Sequence, residues 1–159
     1  MFLDSRTIWA GVGLVAATSD NRVLMQLRSN DPQIKFPNHW SVPTGKVESQ
    51  DFREDSIDTL EEALRRELAE EIFVRTDQGL KPYSPGKLTL FCYTRFVFPG
   101  ETIPSYQFAF KGKLEVPLER LEIREGNNAS LFSRNALSGL LVAPSYKDII
   151  NLYFSTNGL

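Results

Sequence analysis

Cysteine is almost missing from this chain: Cys92 stands alone among 159 residues, so no disulfide can form within it and stability must come from packing. Histidine is equally scarce, with His39 the only one, which leaves no second histidine to build a zinc site. No apolar run approaches the length of a membrane span. The opening residues, Met1-Phe2-Leu3-Asp4-Ser5-Arg6, lack the basic region and long apolar stretch of a signal peptide. Neither sign of charge dominates, with 18 basic residues against 20 acidic ones, so the strongly basic face of a nucleic-acid binder is not expected. Together these absences point to a cytoplasmic protein with no membrane or nucleic-acid partner. The length suits a single domain over residues 1–159, long enough to close a hydrophobic core without staples.

What is present alternates between strand-like and helix-like stretches. Residues 8–17 are rich in small and β-branched side chains and read as a buried strand, with residues 23–27 as its hairpin partner after the turn Ser19-Asp20-Asn21. Residues 28–38 form a polar loop broken by Pro32 and Pro37. Trp40-Ser41-Val42-Pro43-Thr44-Gly45 is a short extended piece, ending at a glycine able to take positive φ or to admit a close backbone approach. Residues 49–56 read as an acidic loop. A helix follows, capped by Asp58 or Thr59 and running to about Ile72. After a turn region at residues 76–86, two aromatic and β-branched runs, residues 87–98 and 105–115, are expected to pair antiparallel. Residues 119–128 are polar, residues 129–132 form a short strand, Ser133 caps a short helix, and Pro144 opens a last helix through Tyr153. Cys92 falls inside an apolar run, where it is a packing residue and nothing nearby would make it a nucleophile. Strands enclosing one early and one late helix suggest a mixed β-sheet covered on both faces, an α/β/α sandwich.

The densest chemistry lies in Arg65-Arg66-Glu67-Leu68-Ala69-Glu70-Glu71. At about 100° per residue, Glu67 and Glu71 stack one turn apart with Glu70 beside them. Leu60, Ala63, Leu64 and Leu68 occupy an arc of the same helix that also includes Glu67 and Glu71. Like charges at the margin of a core raise each other's pKa unless something positive intervenes, and a hard divalent cation is the economical choice. Geometry alone leaves an ordinary charged helix open, because Glu61 with Arg65 and Glu62 with Arg66 are favourable i,i+4 pairs.

Gly45, Arg66, Glu67, Leu68, Glu70, Glu71 and Val74, approached through Trp40-Ser41-Val42-Pro43, resemble the signature of the Nudix hydrolase family. That resemblance implies a Nudix-like α/β/α sandwich and metal-dependent hydrolysis of a diphosphate linkage in a nucleoside diphosphate derivative, a small molecule such as a nucleotide or nucleotide sugar. It implies Mg²⁺ as cofactor, with Mn²⁺ as an alternative. Glu67 and Glu71 would be principal metal ligands, Glu70 a further ligand or the base, and Gly45 the point where backbone approaches metal and phosphates. Arg66 would orient the cluster through an ion pair with Asp58 or Glu70. A further acid from a loop beside the late strand would be Glu125, with Glu122 in reserve. Arg28 is a candidate for phosphate contact, and Phe36, Tyr106 and Phe132 for base stacking, although aromatic residues in such runs more often belong to the core. His39 is read as structural beside Trp40.

The chain departs from the family pattern in four places. Gly45 lies 21 positions before Arg66, implying an insertion at residues 49–56. Asp58 stands in place of the first glutamate, Thr44 in place of a glycine, and Phe73 in place of the glycine after the Glu-Glu pair. These leave room for a rival reading, a nucleotide-binding or sensing module on the same scaffold. An isomerase is disfavoured because Cys92 lacks a polar pocket. The homodimer question stays open.

Overall fold

The computed structural model describes residues 9–48, 57–124 and 128–157. The central strand, β1 (Trp9–Ala17), runs parallel to β8 (Ser105–Lys113) along its whole length, from Trp9 opposite Ser105 to Ala17 opposite Lys113. Every other pairing in the sheet is antiparallel. The strand order is β10 (Asn128–Phe132), β2 (Val23–Leu27), β1, β8 and β7 (Thr89–Phe96).

On its other edge β1 is shared between two neighbours. Its end pairs with β2 through Ala17 and Val23, and its first half pairs with β4 (Thr44–Lys46), Val12 facing Gly45. The short β3 (Trp40–Ser41) hydrogen-bonds to the far end of β2. The chain then crosses to β1, where Leu14 N donates to the Pro43 carbonyl at 3.0 Å. The sheet thus splits where β2 leaves β1, and Gly45 lies on one lip of the split.

Period-two alternation sorts side chains between the two faces. Val12, Leu14, Ala16, Phe108 and Phe110 join the core beneath α1 (Ile57–Glu71), which contributes Leu60, Ala63, Leu64 and Leu68. Val15, Ala17, Val23, Met25 and Ala109 join the core beneath α3 (Pro144–Thr156), which contributes Tyr146, Ile149, Ile150, Tyr153 and Phe154. One helix on each face of a mixed sheet is the sandwich expected from the sequence. Ser133 caps α2 (Arg134–Leu137), its hydroxyl accepting from Ala136 N at 3.3 Å, and Pro144 opens α3.

Three local expectations change. The early helix already includes Ile57, so Asp58 and Thr59 lie in its first turn and do not cap it. The expected turn region contains a hairpin, β5 (Ile72–Thr76) with β6 (Gly79–Pro82), and the polar stretch contains β9 (Leu121–Ile123) after a 3₁₀ turn at Leu118–Arg120. These strands form a second antiparallel sheet, β6-β5-β9. Its inward residues Ile72, Val74, Leu121 and Ile123 close the α1-side core. The insertion at residues 49–56 lies outside the described residues.

Gly13 shows how tightly the α3 face is packed. A Cβ built there would lie 2.5 to 2.8 Å from the ring and hydroxyl of Tyr146, which is itself 2% exposed. Gly13→Ala is expected to lower unfolding free energy by about 1–3 kcal/mol through overpacking. Urea denaturation checks this, and an unchanged midpoint refutes it.

Candidate active site

Helix α1 brings its carboxylates to the lip of the split sheet. Leu60, Ala63, Leu64 and Leu68 are buried, which fixes the helix's rotation and leaves Glu67 at the margin, its side chain 14% exposed. Glu67 lies directly over Gly45, where any Cβ would collide with the Cβ, Cγ and Cδ atoms of the glutamate. Gly45 does not adopt positive φ. The sequence suggested positive φ or a close backbone approach, whereas the close neighbour at this glycine is a side chain.

Arg66 ties the helix to the same strand. It donates to Glu67 Oε1 at 2.7 Å and to the Lys46 carbonyl at 3.1 Å, and lies 3.5 Å from Glu48 Oε2. Among the described residues its acidic partners include Glu67 and Glu48, where the family resemblance implied Asp58 or Glu70. Glu48 was missed as a participant although it directly follows the Gly45-Lys46-Val47 approach. Arg65 faces the other way, pairing with Glu61 at 2.9 Å and donating to the Pro85 and Gly86 carbonyls at 2.8 and 2.9 Å. The two neighbouring arginines therefore have different tasks, one bracing a loop and one reaching β4.

Glu71 is half-buried one turn beyond Glu67, and Glu70 is exposed. Among the described residues no three His, Cys, Asp or Glu side chains gather closely enough to hold a metal ion. The helix supplies the carboxylates without drawing them into a finished cage. The donor set is nonetheless all oxygen, and the missing Cβ of Gly45 lets the Glu67 side chain lie against the β4 backbone. Such a donor set fits a hard divalent cation.

The other expected site residues are dispersed. Arg28 braces its own loop, Nε donating to the Lys35 carbonyl at 2.8 Å. The ring of Phe36 lies 5.6 to 5.9 Å from those of His39, Phe96 and Phe98. Phe96 pairs with Ser105, whose alternation with Ala109 puts it on the α3 side of the sheet. That is the face away from Gly45 and Glu67. Tyr106 is on the α1 side, against that core and 6.4 Å from the Tyr93 ring. Phe132 packs edge-on against Trp40 at 4.9 Å. His39 Nδ1 lies 2.8 Å from the Pro37 carbonyl. Glu122 lies 3.4 Å from Arg75, and Glu125 is outside the described residues. Burial pushes the Cys92 thiol up to about 11, which suits packing better than nucleophilic attack.

With this geometry in view, the likenesses to known proteins are informative. The NUDIX domain model matches residues 7–152, so the chain belongs to the NUDIX family and is a Nudix-type hydrolase. The family generally uses divalent metals. No curated protein matches the sequence. Among solved structures, the MutT protein of Methanosarcina mazei Go1 aligns with a TM-score of 0.67 at 18% identity, over 95% of this chain and 96% of that one. The NUDIX domain of Shewanella oneidensis NrtR, solved as a complex with ADP ribose, aligns at 0.70 and 16% identity over 98% and 94%. At such identities these likenesses establish the fold. Among the described residues no helix is long and apolar enough to cross a membrane.

Electrostatics at Glu67 yield a measurable consequence. Burial raises its pKa above the ordinary 4.5, opposed by the Arg66 charge and hydrogen bond and reinforced by Glu70 and Glu48. A raised folded-state pKa means the native protein holds this proton more tightly than the unfolded chain. The associated stability is fully present below the unfolded value and lost as pH rises through the folded one. In metal-free buffer, Glu67→Gln is therefore expected to melt higher than the parent at pH 7. The difference should vanish below about pH 4.5, as read by calorimetry across pH. A variant that melts lower at neutral pH would contradict this account.

Proposed function

We propose that this chain, acting as a single domain, hydrolyses the diphosphate linkage of a nucleoside diphosphate derivative by attack of water on phosphorus, with Mg²⁺ as cofactor and Mn²⁺ as a substitute. The observation that carries the reading is the Arg66–Glu67 pair at 2.7 Å, seated over Gly45. It sets a largely desolvated carboxylate, oriented by a guanidinium, against the backbone of β4.

Glu67 and Glu71, with Glu70 and the Gly45 carbonyl, would hold the cation. When bound, such an ion neutralises charge on phosphoryl oxygens and acidifies water. Arg66 positions Glu67 and steadies β4 through the Lys46 carbonyl. Glu70, the exposed member of the three, is suited to accept a proton from the attacking water, and Glu125 is a further carboxylate for this step. Tyr106 shares the sheet face of Glu67 and is the favoured aromatic neighbour for a base. Phe36 is occupied by its own cluster. Arg28 remains a candidate contact for substrate phosphate, and a cytoplasmic setting with a small-molecule substrate fits this chemistry.

The purified protein with Mg²⁺ is expected to release phosphate-bearing products from a panel of nucleoside triphosphates, ADP-ribose and nucleotide sugars, identified by mass. Glu71→Gln should lower turnover by roughly 100-fold or more. Equal turnover in that variant sinks the role of Glu71. Tight binding of a panel compound without product, at several metal ions, would favour a sensing module instead. The departure at Phe73 gives that second reading its footing.

A further inference from the structure

Phe73 occupies the place where the family pattern has glycine, and its surroundings are specific. Helix α1 passes directly into β5, with Ile72 turned into the core and Phe73 facing away from it. The register pairs Ile72 with Ile123 and Phe73 with Glu122. Just beyond the end of this ladder, Arg124 N donates to the carbonyl of Glu71, the last residue of α1, at 2.8 Å. The last carboxylate of the motif and the Arg124 side chain therefore start from neighbouring backbone positions.

The guanidinium itself is held. Its central carbon lies 3.9 Å from the centroid of the Phe73 ring, a cation–π contact that restrains the side chain through its face. This leaves the N–H groups in its plane for other acceptors. Arg124 is exposed, and among the described residues the guanidinium makes no hydrogen bond or ion pair. An oriented cation with unused donors, one backbone hydrogen bond away from the last residue of the acidic run, is matched by a ligand that brings more negative charge than the cation site alone neutralises. A diphosphate answers that description, since guanidinium binds phosphate oxygens in a bidentate fashion.

We propose that Arg124 contacts the diphosphate of the substrate, and that Phe73 is a positioning residue that holds it there. This rests on the proposed hydrolysis and adds a substrate-binding residue to it. Any cationic side chain beside the cluster would offer attraction. The stacked arginine adds direction, so Lys should replace it only in part.

Two readouts on the full chain with Mg²⁺ test this: KM and kcat on whichever of ADP-ribose, dGTP and UDP-glucose the parent turns over fastest, and the dissociation constant for ADP by calorimetry. Arg124→Gln is expected to raise both KM and the dissociation constant roughly tenfold or more, with kcat much less affected. Arg124→Lys should recover part of the loss. Phe73→Leu should weaken binding roughly two- to fivefold and add little when combined with Arg124→Gln, because the two act through one contact. Melting curves identify any variant that fails to fold, and the conservative Arg124→Lys then serves as the comparison. ADP binding and KM unchanged in Arg124→Gln would overturn the inference. If the parent hydrolyses none of the three compounds, the proposed reaction fails on its own account, and calorimetry still decides whether Arg124 binds a diphosphate.

Discussion

The site depends on one contact, a glutamate side chain lying across a glycine. Glu67 gives up most of its hydration to sit over Gly45, and Arg66 offsets only part of that cost, since the carboxyl's pKa remains raised. Removing a carboxylate from water without full compensation is destabilising. The arrangement persists because larger forces fix both partners. The buried leucines of α1 set the helix's rotation, and three residues of β4 are paired to β1. The contact is thus imposed by the fold, and the charge it leaves underpaired is the feature that makes a cation welcome.

The split of the sheet explains why this happens at Gly45. A continuous β1–β2 ladder would fill the edge of β1 and leave no free backbone beneath the helix. Instead β2 departs after pairing through Ala17, β4 takes the vacated edge, and the Val42-Pro43 crossing brings Thr44 and Gly45 up to α1. Proline suits that crossing because it has no N–H to satisfy, while its carbonyl accepts from Leu14. Arg66 closes the arrangement by binding the carbonyl of Lys46, so one side chain aligns the carboxylate and the strand that approaches it.

Much of this was legible in the sequence, for physical reasons. Leu60, Ala63, Leu64 and Leu68 recur with helical spacing, so the buried stripe and the marginal place of Glu67 followed from geometry. The strands of residues 9–17, 89–96 and 105–113 announced themselves by β-branched and aromatic content. The hairpin at residues 72–82 did not, because β6 is exposed at every position and carries no alternation. Strand β9 has only three residues, too few for a period to show. For Arg66 the family pattern offered Asp58 or Glu70 as ion-pair partners, and neither that pattern nor helical spacing pointed to Glu48. Glu48 arrives from β4's side of the fold, a tertiary fact. Phe36 read as a base-stacking candidate for the same reason, since nothing local reveals that Phe96 and Phe98 already surround it.

The substitution at Phe73 illustrates how a departure from a pattern is absorbed. A helix end leaves carbonyls without intrahelical partners, and a glycine in the left-handed region is one common remedy. Here the chain continues from Glu71 straight into an extended strand, and neighbouring backbone meets the need: Arg124 N donates to the Glu71 carbonyl and Tyr83 N to that of Ile72, both at 2.8 Å. A residue at position 73 then needs only to tolerate a β conformation, which an aromatic residue does well. The helix end is therefore secured by the residues that follow β6 and β9, and the position released from its capping duty carries a ring facing away from the core. That ring reaches Arg124, whose backbone already serves the helix end. Closing the helix and stacking a cation on the ring two residues beyond its end are thus two consequences of the same backbone arrangement.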